Sequence, residues 1–517
     1  MGVPQSRASV SDAANEKELM RRLRSASIGN RSDSSFVLVD TARDPESPAD
    51  GSGFKREKEG MSVSRLERWQ EGVLDDPKNR LALNAMTDAN PRAILSSRST
   101  KIADQQVFNI KIPFEGAPIT NQRSSGRCWL FASTNVFRVA LMQKYDLDEF
   151  ELSQAYLFFW DKLEKSNWFL EQIVETAADE NLESRLVQTM LHEPISDGGQ
   201  WDMVYNLVDK YGLVPQALYP DSWNATNSRY VNSVVITKLR EGAMTLRRLA
   251  RSRSASQAAI TDAKDKVMRD IHLILTVTLG PPPSPSSDFT WEYIDKHGKT
   301  HTLSTSPKNF AKDIAPSSFS SHPVKITSAV IENMVSLVND PRNPYLTLMT
   351  VDRLGNIVGG RPITYINVDM AALKTACVKM LKAGLPVFFG SDVGKFSDSA
   401  SGIMDLDLID YELGFNISLM GMDKAARLQT GESQMTHAMV LTAVHVDGEG
   451  RSVRWRVQNS WGTTAGDKGW FVMSDRWMDE FVYQAVVDPK FLAKEVQDVL
   501  KKDPIVLPLW DPMGSLA

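Results

Sequence analysis

The order in which periodicities follow one another constrains this chain most. "CWLFASTNVFRVALMQKY", "ELSQAYLFFWDKLEKSNWFLEQIVETA" and "DGGQWDMVYNLVDKYG" space their apolar residues as helices. Much later, "HAMVLTAVHVD", "VRWRVQNS" and "GWFVMSD" follow in close succession, as strands of an antiparallel sheet do. Helices first and strands last predict an α+β fold, with a helical lobe and a sheet lobe. Residues 240–365 differ in texture. A basic helical run, "TLRRLARSRSASQAAITDAKDKVMRDIHLILTV", meets the breaker "GPPPSPSS", and "FTWEYIDKHGKTHTL" then alternates as a hairpin. This block reads as an inserted helical and hairpin subdomain. The expected organisation is a disordered extension at 1–61, a helical half at 62–239, the insertion at 240–365, a β half at 366–490 and an arm at 491–517.

The 517 residues carry a net charge of -5, which gives no global attraction to nucleic acid or anionic membrane. The cluster Arg247, Arg248, Arg251 and Arg253 is a local exception; it reads as a solvated helix face, a subunit contact or a nucleic-acid contact. Two cysteines, Cys128 and Cys377, rule out a disulfide framework and point to a reducing compartment. No apolar run approaches the roughly 18 residues of a membrane span, and the N-terminus has no signal-peptide apolar core. "MGVPQS" fits a loose myristoylation pattern on Gly2, so membrane attachment is expected only if that glycine is acylated. No Cys/His spacing suggests a metal site.

Cys128 lies just after a Ser-Ser-Gly turn, in the first turn of the first long helix. A thiol is nucleophilic as thiolate, and its ordinary pKa of about 8.5 has to fall for use at neutral pH. A helix N-terminus favours the anion through its unpaired N–H groups and the positive end of the macrodipole. The thiolate also needs a base, itself oriented by a third group. His437 heads a strand of small and apolar residues, and Asn459 ends the next one. Antiparallel pairing brings those two ends together, so the Asn459 amide oxygen can accept the ring N–H of His437, with Trp461 covering that bond. Gln122, shortly before the cysteine, offers an amide for an oxyanion, with the N–H of Cys128 as second donor. His445 shares strand parity with His437 but belongs to the far end of the strand. Cys377, in "LKTACVKML", has no basic company and reads as a core residue.

In the order Gln122, Cys128, His437, Asn459, these residues resemble the papain-like cysteine peptidases; Q-x-x-x-x-G-x-C-W and N-S-W-G carry the likeness. Gly198 and Gly199 resemble the Gly-Gly segment that pairs by backbone with bound peptide in that family. "DGGQWDM", "GESQMTHAM" and the terminal "LPLWDPMGSLA" narrow the likeness to its bleomycin hydrolase branch, over roughly residues 62–517. The resemblance implies a papain-like two-lobed fold and an aminopeptidase of the cytoplasm, with a mitochondrial pool. It further implies a homohexamer, no metal and no organic cofactor. It also implies a C-terminal arm in the cleft, with Ala517 facing the substrate's free ammonium group without further trimming. Implied substrates are peptides, bleomycin and homocysteine thiolactone. A non-catalytic scaffold and an endopeptidase are the competing expectations.

Overall fold

The computed structural model describes residues 60–315 and 324–516. The expectations for residues 1–59, Gly2 included, and for Ala517 lie outside the described residues. Two compact units divide the chain, Met1–Glu71 and Gly72–Ala517. Of the first, the described part is residues 60–71, mostly the start of helix Val63–Asp75. The sheet, the long helices and the site belong to the second.

Helix α1, Cys128–Lys144, is apolar on nearly every face and buried from Cys128 to Met142. Each fully buried large side chain in it, Trp129 and Phe137 among them, stabilises the fold by roughly 1.5–3 kcal/mol. It packs between the central sheet and two further helices, α2 (Gln154–Glu175) and α3 (Trp201–Tyr211). Ser153 caps α2 by accepting the Tyr156 N–H, and α3 stops at Gly212, whose φ of 78° suits glycine.

Among the described residues the sheet has twelve strands. In chain order they are β1 (Ile110–Lys111), then, past the separate hairpin β2 (Phe289–Ile294) and β3 (Thr300–Thr305), β4 (Val335–Val338), β5 (Thr347–Val351) and β6 (Tyr365–Asn367). There follow β7 (Val387–Ser391), β8 (Ser397–Asp398), β9 (Ile403–Met404), β10 (His437–Val446) and β11 (Ser452–Gln458). β12 (Trp470–Ser474), β13 (Val482–Val487) and β14 (Ile505–Leu507) complete the set. The spatial order is β14-β5-β6-β4-β13-β7-β10-β11-β12-β9-β8, with β1 beside β10. Its centre, β4-β13-β7-β10-β11-β12, is antiparallel as expected. Parallel pairs occur towards its flanks: β14 with β5, β6 with β4, and β12 with β9.

The block at 240–365 departs from the expected insertion in two ways. Its basic run is two helices, α4 (Arg229–Ala250) and α5 (Gln257–Leu279), separated at "RSRSAS". Ser256 offers its hydroxyl to the Ala259 N–H and starts the second helix instead of continuing the first. The two helices cross closely, since a Cβ on Gly242 would meet Val267 at 2.9 Å. The second departure is that β4, β5 and β6 join the main sheet and do not form part of a separate subdomain. The expected boundary at 240 falls inside α4, and that at 365 falls on the first residue of β6.

Candidate active site

Cys128 opens α1 and His437 opens β10, and both line one cleft of about 970 Å³. The N–H of Ala438, next to His437 on the same strand, is directed at the Cys128 thiol, as are those of Trp129 and Cys128 itself. Burial outweighs these donors and pushes the thiol up to about 11, with the Asp197 carboxylate adding to the rise. Burial likewise lowers His437 to about 4, against the opposing pull of its bond to Asn459. Burial thus opposes charge on both the thiol and the imidazole.

The structure brings His437 and Asn459 together. β10 and β11 run antiparallel with Val440 opposite Gln458, so the residue after β11 returns to the head of β10. The Asn459 Oδ1 lies 2.8 Å from His437 Nε2, and the Ser460 N–H donates to the same oxygen at 2.8 Å. Two donors on Oδ1 fix the amide orientation, which places the ring proton on Nε2 and leaves the Nδ1 lone pair free. Trp461 covers the ring at a centroid distance of 4.8 Å and is braced edge-on by Phe471. Its contacts are therefore with the imidazole and the core behind it.

Gln122 is buried beside the cleft. Its Nε2 donates to the Ser125 carbonyl at 2.7 Å, its Oε1 accepts from the Ser460 hydroxyl at 2.8 Å, and its backbone N–H donates to the Ser460 carbonyl. One Nε2 hydrogen is thus engaged and the other is available to a ligand. Ser460 ties the Gln122 loop to the Asn459 strand end, a role the sequence reading missed although it lies inside N-S-W-G.

The two glycines separate in role. Gly198 lines the cleft, but its carbonyl already accepts from Lys165 Nζ at 2.6 Å, leaving its N–H as the group free for a peptide. Gly199 is glycine for packing, since a Cβ there would meet the Trp129 ring at 2.4 Å. Beneath them lie buried charges absent from the sequence reading: Lys165 pairs with Asp161 at 2.8 Å and Lys162 with Asp197 at 2.5 Å. Asp161, Lys162 and Lys165 fall within about one turn of α2 and look like a polar face in sequence, with Asp197 in the loop before α3; only the fold turns them inward. Arg127, wholly buried, forms a bidentate pair with Asp221 at 2.6 and 3.1 Å and rests on the Phe131 and Phe158 rings.

Residues 509–512 and 514–516 of the arm line the same cleft. β14 leads into it, Arg342 grips Asp511 at 2.8 Å, and the Arg185 guanidinium stacks 4.2 Å from the Trp510 ring. Ser515 bridges the cleft walls: its hydroxyl donates to the Met435 carbonyl at 2.6 Å, and its carbonyl accepts from Gln200 at 3.2 Å.

Other expected groups lie elsewhere. Cys377 is buried in helix α6, Met370–Lys382, its thiol pushed up to about 12. His445 faces Arg454 near the other end of β10. Arg247 is not on a solvated face: it is buried and donates to the Glu180 carbonyl, while Arg251 donates to Asn181 at 3.1 Å. The loop at 176–181 covers that part of α4, which a single helix's periodicity does not reveal. Among the described residues, no cluster of three or more His, Cys, Asp or Glu converges as a metal site. Nor is any described helix long and apolar enough to cross a membrane.

A helix-tip cysteine facing a sheet-borne histidine across a cleft between helices and an antiparallel sheet defines a papain-like cysteine peptidase. The model of the peptidase C1-like family matches residues 60–514. The chain is 43% identical to cysteine proteinase 1, mitochondrial, of Saccharomyces cerevisiae, over 90% of its own length and 94% of the relative's. It is also 43% identical to human bleomycin hydrolase, over 90% of its length and 99% of the relative's. The crystal structure of PepW from Lactobacillus rhamnosis superposes with a TM-score of 0.82 at 40% identity, covering 89% of this chain and 99% of that one. The chain belongs to the peptidase C1-like family and is a cysteine peptidase.

Proposed function

We propose that the protein is an aminopeptidase that hydrolyses N-terminal amide bonds through a Cys-His-Asn acyl-enzyme mechanism. The observation that carries the aminopeptidase reading is the arm: residues 509–512 and 514–516 line the cleft that Cys128 and His437 share. An arm so placed leaves room for few substrate residues ahead of the scissile bond. Ala517, next along the arm, is proposed to face the substrate's α-ammonium group.

In the first step the Cys128 proton passes to His437 Nδ1 as the sulfur attacks the carbonyl carbon. The oxyanion receives the free Nε2 hydrogen of Gln122 and the Cys128 N–H. Asn459 keeps Nε2–H on the far side of the ring, and the imidazolium that forms gives its new proton to the leaving amine. Water, activated by the neutral imidazole, then releases the acyl group and regenerates the thiol. The N–H of Gly198 is proposed to hold substrate backbone. Bleomycin and homocysteine thiolactone are proposed substrates beside peptides; one relative bears the name bleomycin hydrolase. A homohexamer, and a cytoplasmic location with a mitochondrial pool, complete the proposal.

The test is release of a fluorophore from a free aminoacyl amide and from its N-blocked counterpart. The expected outcome is cleavage of the first only, with removal of residues 513–517 admitting the second. Equal cleavage of both by the full chain overturns the aminopeptidase reading. Activity should rise as pH increases through about 4, because protonated His437 cannot accept the thiol proton. A sedimentation mass of one or two chains removes the hexamer.

A further inference from the structure

Asp197 holds the chain on both sides of the cysteine, at Gly126 and Trp129. Its side chain accepts the N–H of Gly126, two residues before Cys128, at 3.1 Å. Its own carbonyl accepts the indole N–H of Trp129, the residue after Cys128, at 2.6 Å. The approach leaves no room for a side chain: a Cβ on Gly126 would lie 2.7 Å from the Asp197 Cβ, and one on Gly199 would run into the Trp129 ring. Asp197 also immediately precedes Gly198, the cleft-lining glycine.

The carboxylate is itself pinned from three directions. Oδ1 accepts from Asn232 of α4 at 2.7 Å and pairs with Lys162 of α2 at 2.5 Å, and Oδ2 accepts from Ser228 as well as from Gly126. Lys162 and Lys165 then donate to the Ser196 carbonyl at 2.9 and 3.2 Å, and Lys165 to that of Gly198. Four donors on one carboxylate hold it ionised and well below the usual carboxylate range.

From this geometry we infer that Asp197 is a positioning residue of the peptidase reaction, setting the Cys128 loop and the Gly198 loop at one fixed spacing. The inference rests on the reading of Cys128 as nucleophile. The groups acting on the thiol are the N–H groups of Ala438, Trp129 and Cys128, and Asp197 as the negative charge that opposes thiolate; His437 lines the same cleft. Asp197 therefore acts in two separable ways, through its reach and through its charge.

Two variants separate them. Asp197→Asn keeps the size but removes the charge and, by turning one accepting oxygen into an NH2, releases two of the four donors; Asp197→Glu keeps the charge and both acceptors but alters the reach. Cys128 alkylation by iodoacetamide, followed by peptide mapping against pH, reads the thiolate without any substrate. For Asp197→Asn the expected results are an alkylation midpoint shifted to lower pH by about 0.3–1 unit, and kcat lowered roughly 10-fold with KM within about twofold. For Asp197→Glu the midpoint stays and kcat falls by roughly 10- to 100-fold. A folded Asp197→Asn protein with wild-type kcat, or with an unmoved midpoint, overturns the inference. Should neither variant fold, Asn232→Ala removes one of the four donors: a kcat lowered about two- to fivefold at constant KM supports the inference, and an unchanged kcat overturns it. Cys128→Ala is assayed alongside. Full activity there refutes the nucleophile reading itself, whereas an inactive Cys128→Ala beside a normal Asp197→Asn refutes the positioning role alone.

Discussion

The wall that carries Cys128 is braced by buried charge, and the wall that carries His437 by a backbone ladder. At the start of α1 the chain has no ladder to sit in, and Arg127 makes no side-chain cap. Instead Arg127–Asp221, Lys162–Asp197 and Lys165–Asp161 surround the turn. On the other wall His437 is paired with Ser391 of β7, and its strand continues against β11 through mostly apolar residues. Side-chain support there reduces to Asn459 and the Trp461 lid. A helix tip is placed by specific partners and fails when one is lost; a strand head is placed by its register and tolerates more.

The largest effects should be blind to this difference. Cys128→Ala and His437→Ala are each expected to lower kcat by at least about 10⁴-fold, and the double variant by no more than either alone, because the two act as one unit. Single-turnover assays on an aminoacyl amide check this; an additive double variant would mean that the walls contribute separate chemistries. Next comes Gln122→Ala, which spans the walls through Ser460. On the proposed mechanism this removes one oxyanion donor and should lower kcat by about 10²–10³-fold with KM little changed.

The walls themselves part company in the next pair. Arg127→Leu leaves Asp221 without its partner, and because Arg127 is wholly buried and Asp221 partly exposed, the loss should be about 2–4 kcal/mol of stability, along with activity. Asn459→Ala removes one hydrogen bond to a ring that becomes charged, worth about 1.5–3 kcal/mol in the transition state, hence roughly 10- to 100-fold in kcat. Its thermal midpoint should stay near wild type. Calorimetry and initial rates on the two proteins decide the comparison: a large stability loss for Asn459→Ala would mean that the sheet wall, too, depends on individual side chains.

The same contrast explains what could be read from sequence. His437 and Asn459 were legible because strand alternation and an antiparallel return place their ends side by side, and β10 and β11 do so. Cys128 was legible because a turn followed by an apolar run marks a helix start. Lys162, Lys165 and Asp197 were not, since a charge on a helix or in a loop looks solvated until a neighbouring element covers it. Arg247 failed in the same way, under the 176–181 loop. β6 and β14, three residues each, are too short to show alternation, and their parallel pairing joins segments far apart in the chain. Register could be inferred; buried charge needed the third dimension.

The smallest expected effect on activity concerns the second thiol, and it sharpens why environment decides reactivity. Cys128 and Cys377 are both buried, and burial raises both thiols. Cys128 also receives three backbone N–H groups and borders the cleft, whereas for Cys377 the opposing donor is its own N–H, inside α6. Replacing Cys377 with serine puts a hydroxyl into an apolar site, which should cost about 1–3 kcal/mol of stability but change kcat by less than about twofold, as it touches neither wall. Brief alkylation at pH 8 should mark Cys128 and spare Cys377, as mass spectrometry of the digested protein would record. Equal labelling of the two would mean that the cleft wall gives its sulfur no advantage over one sealed in the core.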